Sequence, residues 1–261
     1  MNRHPSISRR FRRVWQRNCS VYRKTWKISF IPPLLEPLLY LAAFGVGLGS
    51  LVGAVPYQGA EVGYLRYIAP GLLAVTIMQN AFFETTYSSF VRMYYQKTFD
   101  AMLATPLTLE EVILGEITWA ATKSLLATAL MLTVITPFGL IAWPAGLLIL
   151  PLALLGGLSF AIAGMLFTSL VPNIETFNLP VFLFITPMFL FSGTFFPVAN
   201  LPGWAQSLAL ALPLTHLVNL ARAATFGHPV PGLVVSCAYL LGWVLIGLPL
   251  ALTLMRRRLI N

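Results

Sequence analysis

The sequence predicts an all-α polytopic membrane protein with six transmembrane helices and both termini cytoplasmic, on three observations. The first is composition. Of 261 residues, 57% are hydrophobic and only 10% charged, with a mean hydropathy of +0.79. A soluble domain carries about 25% charged residues, so most of this surface is suited to something other than water. The second is length. Crossing roughly 30 Å of hydrocarbon takes about 20 residues of helix, and suitable stretches fall near 31–54, 67–91, 112–137, 145–171, 177–196 and 231–255. The third is the placement of the 17 basic residues, because Lys and Arg flanking a span stay on the cytoplasmic side. Arg3, Arg9, Arg10, Arg12, Arg13, Arg17, Arg23, Lys24 and Lys27 precede the first span; Arg92 and Lys97 follow the second; Arg256, Arg257 and Arg258 follow the sixth. Only Arg66 and Arg222 fall on the other side, with Lys123 inside a span. An even number of crossings satisfies all of this, and the net charge of +9 then needs no nucleic acid to explain it.

Before the first span, Phe11, Val14, Trp15, Val21, Tyr22 and Trp26 alternate with Arg and Lys, as in a helix lying in the headgroup layer. Both a membrane anchor that sets topology and a docking helix fit that pattern. The basic and apolar stretches, about 30 and about 20 residues, exceed those of a cleavable secretory signal, so the first span is expected to be retained. Within it Gly45 and Gly49 form a GxxxG spacing, and Ala153, Gly157 and Ala161 share one face of the fourth span. Both patterns point to close helix packing.

The most informative cytoplasmic segment is 92–116, "RMYYQKTFDAMLATPLTLEEVILGE". Phe99, Met102 and Leu103 fall on one side of a short helix that Pro106 stops, and Thr108 with Glu111 forms a capping box that opens the next helix. Such a helix presents apolar and acidic side chains to a partner's groove or serves as an interfacial connector. Glu175 is the one charge in the short turn between the fourth and fifth spans, where a partner contact and a solvated acid are both open.

Ionised groups at membrane depth are costly and find partners. Counted at 1.5 Å per residue, Glu84 and Lys123 lie roughly 12 and 18 Å from the cytoplasmic interface, which predicts an ion pair between the second and third spans. Around Glu84 runs a polar stripe, Gln79, Asn80, Thr85, Thr86, Ser88 and Ser89, which should face protein or a hydrated path. Glu36, between Pro33 and Pro37, belongs to the hydrated cytoplasmic edge.

The chain carries no phosphate-binding loop. The only Lys-Ser pair is Lys123-Ser124, and the glycines the motif requires are replaced by Ile117 and Thr122. His4, His216 and His228 are scattered through termini and loops, Cys19 and Cys237 lack a framework for a disulfide, and no metal-ligand or nucleophile spacing appears. The expectation is therefore a transporter with no catalytic residue, metal or cofactor of its own. Two rivals stay open: an intramembrane enzyme on lipid-linked sugars, with Glu84 as its candidate acid, and an ion-coupled secondary transporter, although no internal repeat is visible.

The six-span layout, "LATPLTLEEVILGE" after the second span, and "NLPVFLFITPMFLFSGTFFPVANLPGWAQSLALALPLTHLVNLARAATFG" together resemble the membrane subunit of type-2 ABC exporters, nearest to the Nod-factor (lipooligosaccharide) export permeases. The likeness covers nearly the whole chain. It implies a homodimeric permease of the bacterial inner membrane, served by two copies of a cytoplasmic P-loop ATPase that bind ATP and Mg. The cargo it implies is a glycolipid, lipooligosaccharide or polysaccharide, or alternatively a hydrophobic drug. By the same resemblance residues 1–30 form a gate helix, and 31–261 one transmembrane domain. Residues 97–111, with Lys97, Phe99, Asp100, Met102, Leu103, Glu110 and Glu111, form the coupling helix that docks the ATPase, with Glu175 a second contact. Residues 197–228 then form re-entrant helices in the outer leaflet. The sequence is physically consistent with that: Pro197, Pro202 and Gly203 break the chain, "WAQSLALAL" gives two helical turns, Pro213 ends them, and Trp204 suits the outer interface.

Overall fold

The computed structural model describes residues 8–227 and 230–260, so His4 and His228 lie outside the described residues. Helix α1 runs Phe11–Tyr40 and continues through a π-helical stretch, Leu41–Leu48, into α2, Gly49–Val52. The helix thus crosses residue 30 without a break, and the basic amphipathic segment and the first predicted span are one continuous rod. Its N-terminal half packs along α5, Leu109–Ile135. Close approach there depends on Gly115, where an added Cβ would stand 2.7 Å from a Val14 methyl carbon.

An all-α reading misses one element. Strands β1, Ala54–Tyr57, and β2, Ala60–Gly63, form an antiparallel hairpin around Gln58-Gly59, both with positive φ. Two-residue loops of this kind suit the twist of paired strands. The hairpin leads into α3, Tyr64–Phe83, which continues helically to Tyr95 through π turns at Glu84–Ser88 and Val91–Tyr95. The short α4, Thr98–Leu103, follows, and then α5, opened by a complete capping box: Glu111 N–H donates to Thr108 Oγ1, and Thr108 N–H to Glu111 Oε2. Helix α6 is Ile149–Leu170. Helices α7 (Asn178–Pro180) and α8 (Thr186–Phe191) belong to one helical run that starts at Glu175 and stops at Phe191, short of the predicted boundary at 196. After α9 (Gly203–Ala211) and α10 (Pro213–Phe226) comes α11, Leu233–Ile260.

Among the described residues, three helices are long and apolar enough to cross a membrane by themselves: Leu109–Phe138, Ala145–Leu170 and Leu233–Leu259. The run from Tyr64 carries Arg66, Glu84 and Arg92, which lower its hydropathy. The run Glu175–Phe191 is apolar but short.

Helix α6 is the centre of the bundle, packed on α3, α5 and α11. Glycine makes this possible at particular points: an added Cβ at Gly164 would stand 2.8 Å from the Phe82 carbonyl on α3, and one at Gly157 3.0 Å from Ala121 Cα on α5. The Gly45/Gly49 spacing behaves differently, because Gly45 faces the Leu65 side chain while Gly49 meets only its own helix. One core cluster surrounds Phe82, Phe90, Phe99, Phe160 and Phe177. A second surrounds Tyr67, Ile68, Leu72, Leu73, Met131 and Ile135.

Candidate functional site

The predicted pair meets: Lys123 Nζ lies 2.7 Å from Glu84 Oε2. It belongs to a larger network in which Arg92, eight residues after Glu84, reaches back so that its Nη1 lies 2.8 Å from Glu84 Oε1. The π turns at 84–88 and 91–95 lie on the same stretch, where the helical ladder is locally altered. Nη2 of Arg92 also contacts Glu116 Oε2 on α5 at 2.5 Å. Asn18 on α1 donates to the other Glu116 oxygen at 2.8 Å, Ser89 donates to Oε2 at 2.7 Å, and Trp119 Nε1 donates to Glu84 Oε1 at 3.0 Å. Two carboxylates, 4% and 0% exposed, are thus held by Arg92, Lys123 and three neutral donors, Asn18 and Ser89 on Glu116 and Trp119 on Glu84. The paired charges tie the run that continues α3 to α5, and the Asn18 amide adds α1.

Sequence reasoning missed Glu116, Trp119 and Asn18 in this network. Glu116 lies five residues beyond the capping-box Glu111, in a stretch the sequence assigns to the helix start. Its spacing from Asn18 and Arg92 is tertiary, and only the burial of three facing polar side chains reveals it. In the polar stripe, Thr85 and Thr86 are buried and turn their hydroxyls back to carbonyls of their own helix. Gln79 and Asn80 are half-buried and line a cleft together with Glu36 and Lys123.

The segment 97–111 is not one helix. It holds α4, preceded by Lys97 in the left-handed region at φ 53°, then a break, then the first turn of α5 from Leu109. Phe99, placed on the docking face by sequence, is 1% exposed and belongs to the core, and Met102 packs against the same cluster. Glu111 is also turned inward, 1% exposed, and is spent on its capping box and on the Ser8 hydroxyl. The reason is local: a six-residue amphipathic helix lying against α5 has one face to bury, and the aromatic side chain takes it. The face left outward carries Lys97, Asp100 and Leu103, with Lys97 and Asp100 paired at 3.8 Å. Glu110 is half-buried beside Arg256 at 3.8 Å, and Glu175 is exposed at the turn that precedes α7.

The segment after Phe191 forms two helices bent by 82°. Pro202 is the N-cap of α9, and Gln206 Nε2 donates to the carbonyls of Ala199 and Leu201, tying the Pro197–Pro202 loop to the helix. Pro213 opens α10, where a missing N–H costs nothing, and α9 has already stopped at Ala211. Gly203 and Trp204 are exposed, Trp204 at 68%. Two side chains of α10 depart from their expected settings. His216 is buried in the helix and stacked on Tyr239 at 4.1 Å, rather than in a loop. Arg222 is 2% exposed, with its guanidinium 4.1 Å from the Tyr67 ring centroid and donating to the Gly193 carbonyl.

Among the described residues no group of three or more His, Cys, Asp or Glu is arranged to hold a metal. What the geometry offers instead is a charged three-helix junction beside an exposed short helix, and a bent helical pair at the other end.

Comparison with known proteins places this arrangement. The family model described as ABC-2 type transporter matches residues 9–226. The chain is 40% identical over 248 residues to Nodulation protein J of Rhizobium leguminosarum bv. trifolii, covering 95% of this chain and 93% of that one. It is 37% identical over 248 residues to Nodulation protein J of Sinorhizobium fredii, covering 95% and 93%. It is 24% identical over 218 residues to the Inner membrane transport permease YadH of Escherichia coli, covering 82% of each chain. On this likeness along nearly its whole length, the chain belongs to the ABC-2 type transporter family, as the membrane-embedded part of a transporter rather than an enzyme.

Proposed function

We propose that this chain is the permease subunit of an ATP-driven exporter that moves a glycolipid, lipooligosaccharide or polysaccharide across the bacterial inner membrane. Two copies form the pathway with six spans each, and two cytoplasmic P-loop ATPases supply the energy. The observation that carries the reading is the outward face of α4: a charged and apolar knob of Lys97, Asp100 and Leu103, held rigidly because Phe99 on its other side is locked into the core. A lever needs such a rigid base, since a push on α4 is then delivered to α3 and α5 rather than absorbed by a loose loop. The relatives named Nodulation protein J support the lipooligosaccharide branch that the sequence resembles.

The test is purification of the tagged chain from its host membranes, with mass spectrometry of what accompanies it, repeated with Asp100→Arg and Leu103→Asp combined. A soluble P-loop ATPase that accompanies the native chain and is lost from the variant supports both motor and docking face. Absence of any ATPase, even after crosslinking, removes the motor from the proposal.

A further inference from the structure

Among the described residues, three buried side-chain polar atoms have no hydrogen-bond partner: Ser192 Oγ, Thr194 Oγ1 and Arg222 Nε. All three belong to one place. Ser192 and Thr194 flank Gly193, which turns the chain at φ 75° just past α8. The Gly193 carbonyl accepts from Arg222 Nη2 and, at 3.2 Å, from the Tyr67 hydroxyl. Thr194 is fixed from the other side, since an added Cβ at Gly71 on α3 would stand 2.9 Å from its Cα. The three residues are 1%, 0% and 2% exposed, so bulk water does not reach them.

Hydroxyls buried elsewhere in the bundle need no outside partner, because a helix offers each one a carbonyl from its preceding turn. Thr85, Thr86, Thr128 and Thr225 all donate in that way. Ser192 and Thr194 lie past the last residue of α8 and donate to no carbonyl. The charge is the larger cost. Arg92, at the opposite end of the bundle, is 13% exposed and holds two carboxylates. Arg222 is more deeply buried, yet no described Asp or Glu forms an ion pair with it. The groups that act on its charge are the phenols of Tyr67 and Tyr57, whose ring centroids lie 4.1 and 5.3 Å from the guanidinium carbon. Ring faces attract a cation without cancelling its charge, and a charge taken out of water without a counter-ion is costly. A water molecule would satisfy the three orphan groups but leave the charge standing. An anion accepts from all three and neutralises the guanidinium as well. The donor count sets its kind: a carboxylate or phosphate carries several oxygens that each need partners, whereas a single halide is served by an N–H and two hydroxyls.

We propose that Ser192, Thr194 and Arg222 bind one small monovalent anion, chloride under cellular conditions, beside the rings of Tyr57 and Tyr67. The ion is the counter-charge that fixes the turn after α8 to α10 and α3. The site is independent of the exporter reading and of the identity of any cargo. Water is the competing occupant, and dependence on the anion separates the two.

The experiment uses the purified full chain in nanodiscs of phosphatidylcholine, without ATPase or ATP, and compares sodium chloride with sodium gluconate at equal ionic strength. The expected result is a thermal unfolding midpoint that rises with chloride by roughly 5 °C or more and then saturates, with bromide able to replace chloride and sulfate not. Radioactive chloride should bind at a single site per chain. Ser192→Ala combined with Thr194→Val removes two donors with little change in volume and should raise the half-saturating chloride concentration by about tenfold or more. Arg222→Met should abolish binding, and if that variant does not fold the hydroxyl pair decides the matter. Arg66→Met, which removes the exposed arginine over Phe226, should leave the chloride dependence as it was. Equal midpoints in chloride and gluconate overturn the proposal. So does a chloride dependence that the hydroxyl pair leaves unchanged, which marks an adventitious ion only. A hydroxyl variant that loses stability while neither protein binds chloride assigns the site to water and overturns the proposal too.

Discussion

Arg92 and Glu84 are eight residues apart on one helical run, yet Nη1 and Oε1 meet at 2.8 Å, while the same guanidinium crosses to Glu116 on the neighbouring helix. One cation therefore bridges two carboxylates that are 4% and 0% exposed, with Lys123 the second cation on Glu84. Removing it leaves acids in a medium that cannot solvate them. Arg92→Met is expected to destabilise the protein by about 3–5 kcal/mol, the range for breaking one side of a buried pair. Thermal unfolding in detergent measures it, and adding Glu116→Gln should recover part of the loss. A loss for Arg92→Met no larger than that of an exposed arginine such as Arg12 would show the network to be dispensable.

Lys123 is the weaker member. It is 26% exposed and lines the cleft beside Gln79 and Asn80, so water replaces much of what Glu84 gives it. Lys123→Met is expected to cost about 1 kcal/mol or less, and Glu84→Gln more, since Glu84 also accepts from Arg92 and Trp119. A double mutant as unstable as the two single losses added together would mean that the two side chains, though 2.7 Å apart, do not stabilise one another.

Phe99 and Leu103 separate folding from docking on one short helix. Phe99→Ala opens the core at a fully buried aromatic, a change that costs about 3–5 kcal/mol, and should lower the unfolding midpoint and the yield. Leu103→Asp, on the outward face, should leave the midpoint within about 0.5 kcal/mol of the native value and act only on partner binding. An unstable Leu103→Asp or a stable Phe99→Ala would reverse the assignment of the two faces.

Gly164 is held first against the Thr85 hydroxyl, which is itself tied to carbonyls of its own helix, and then against backbone. A Cβ there would stand 2.8 Å from the Phe82 carbonyl, and the carbonyl is fixed by its own helix. Gly164→Ala is expected to cost about 1–3 kcal/mol through overpacking, despite the better helix propensity of alanine. Gly242→Ala on α11, where no atom lies within 4 Å of the new methyl, is the control and should be neutral or slightly stabilising in the same unfolding assay.

Arg222 joins the bent pair to the rest of the bundle. Its guanidinium is packed on Tyr67 and donates to Gly193, where α8 ends. Lysine keeps the charge but loses the planar stack and fork. Arg222→Lys is therefore expected to lower stability by about 2 kcal/mol, the size of a desolvated cation–π contact, and Tyr67→Leu should lower it comparably, with the double mutant less than additive. Additivity would mean that the two rings of charge and aromatic act independently.

The sequence by itself determined the class and much of the layout of this protein. The low charge content and apolar runs require a membrane environment, the capping box at Thr108 and Glu111 fixes where α5 begins, and Pro202 and Pro213 bracket the first helix of the bent pair, although Pro213 proves to open the second. It also named Glu84 and Lys123 as partners, because a charge at depth is costly alone. These signals are local, or follow from a period or a solvation cost that needs no fold. Tertiary structure decided the rest. Phe99 and Leu103 are four residues apart on a helix whose orientation about its axis is set by packing on α5, so pattern alone could not tell core from surface. Glu116, Asn18 and Arg92 are widely separated in the chain and acquire meaning only where three helices meet. The same holds for Arg222, read from sequence as a flanking charge and found beneath Tyr67, because burial of an arginine depends on rings and carbonyls brought from other segments.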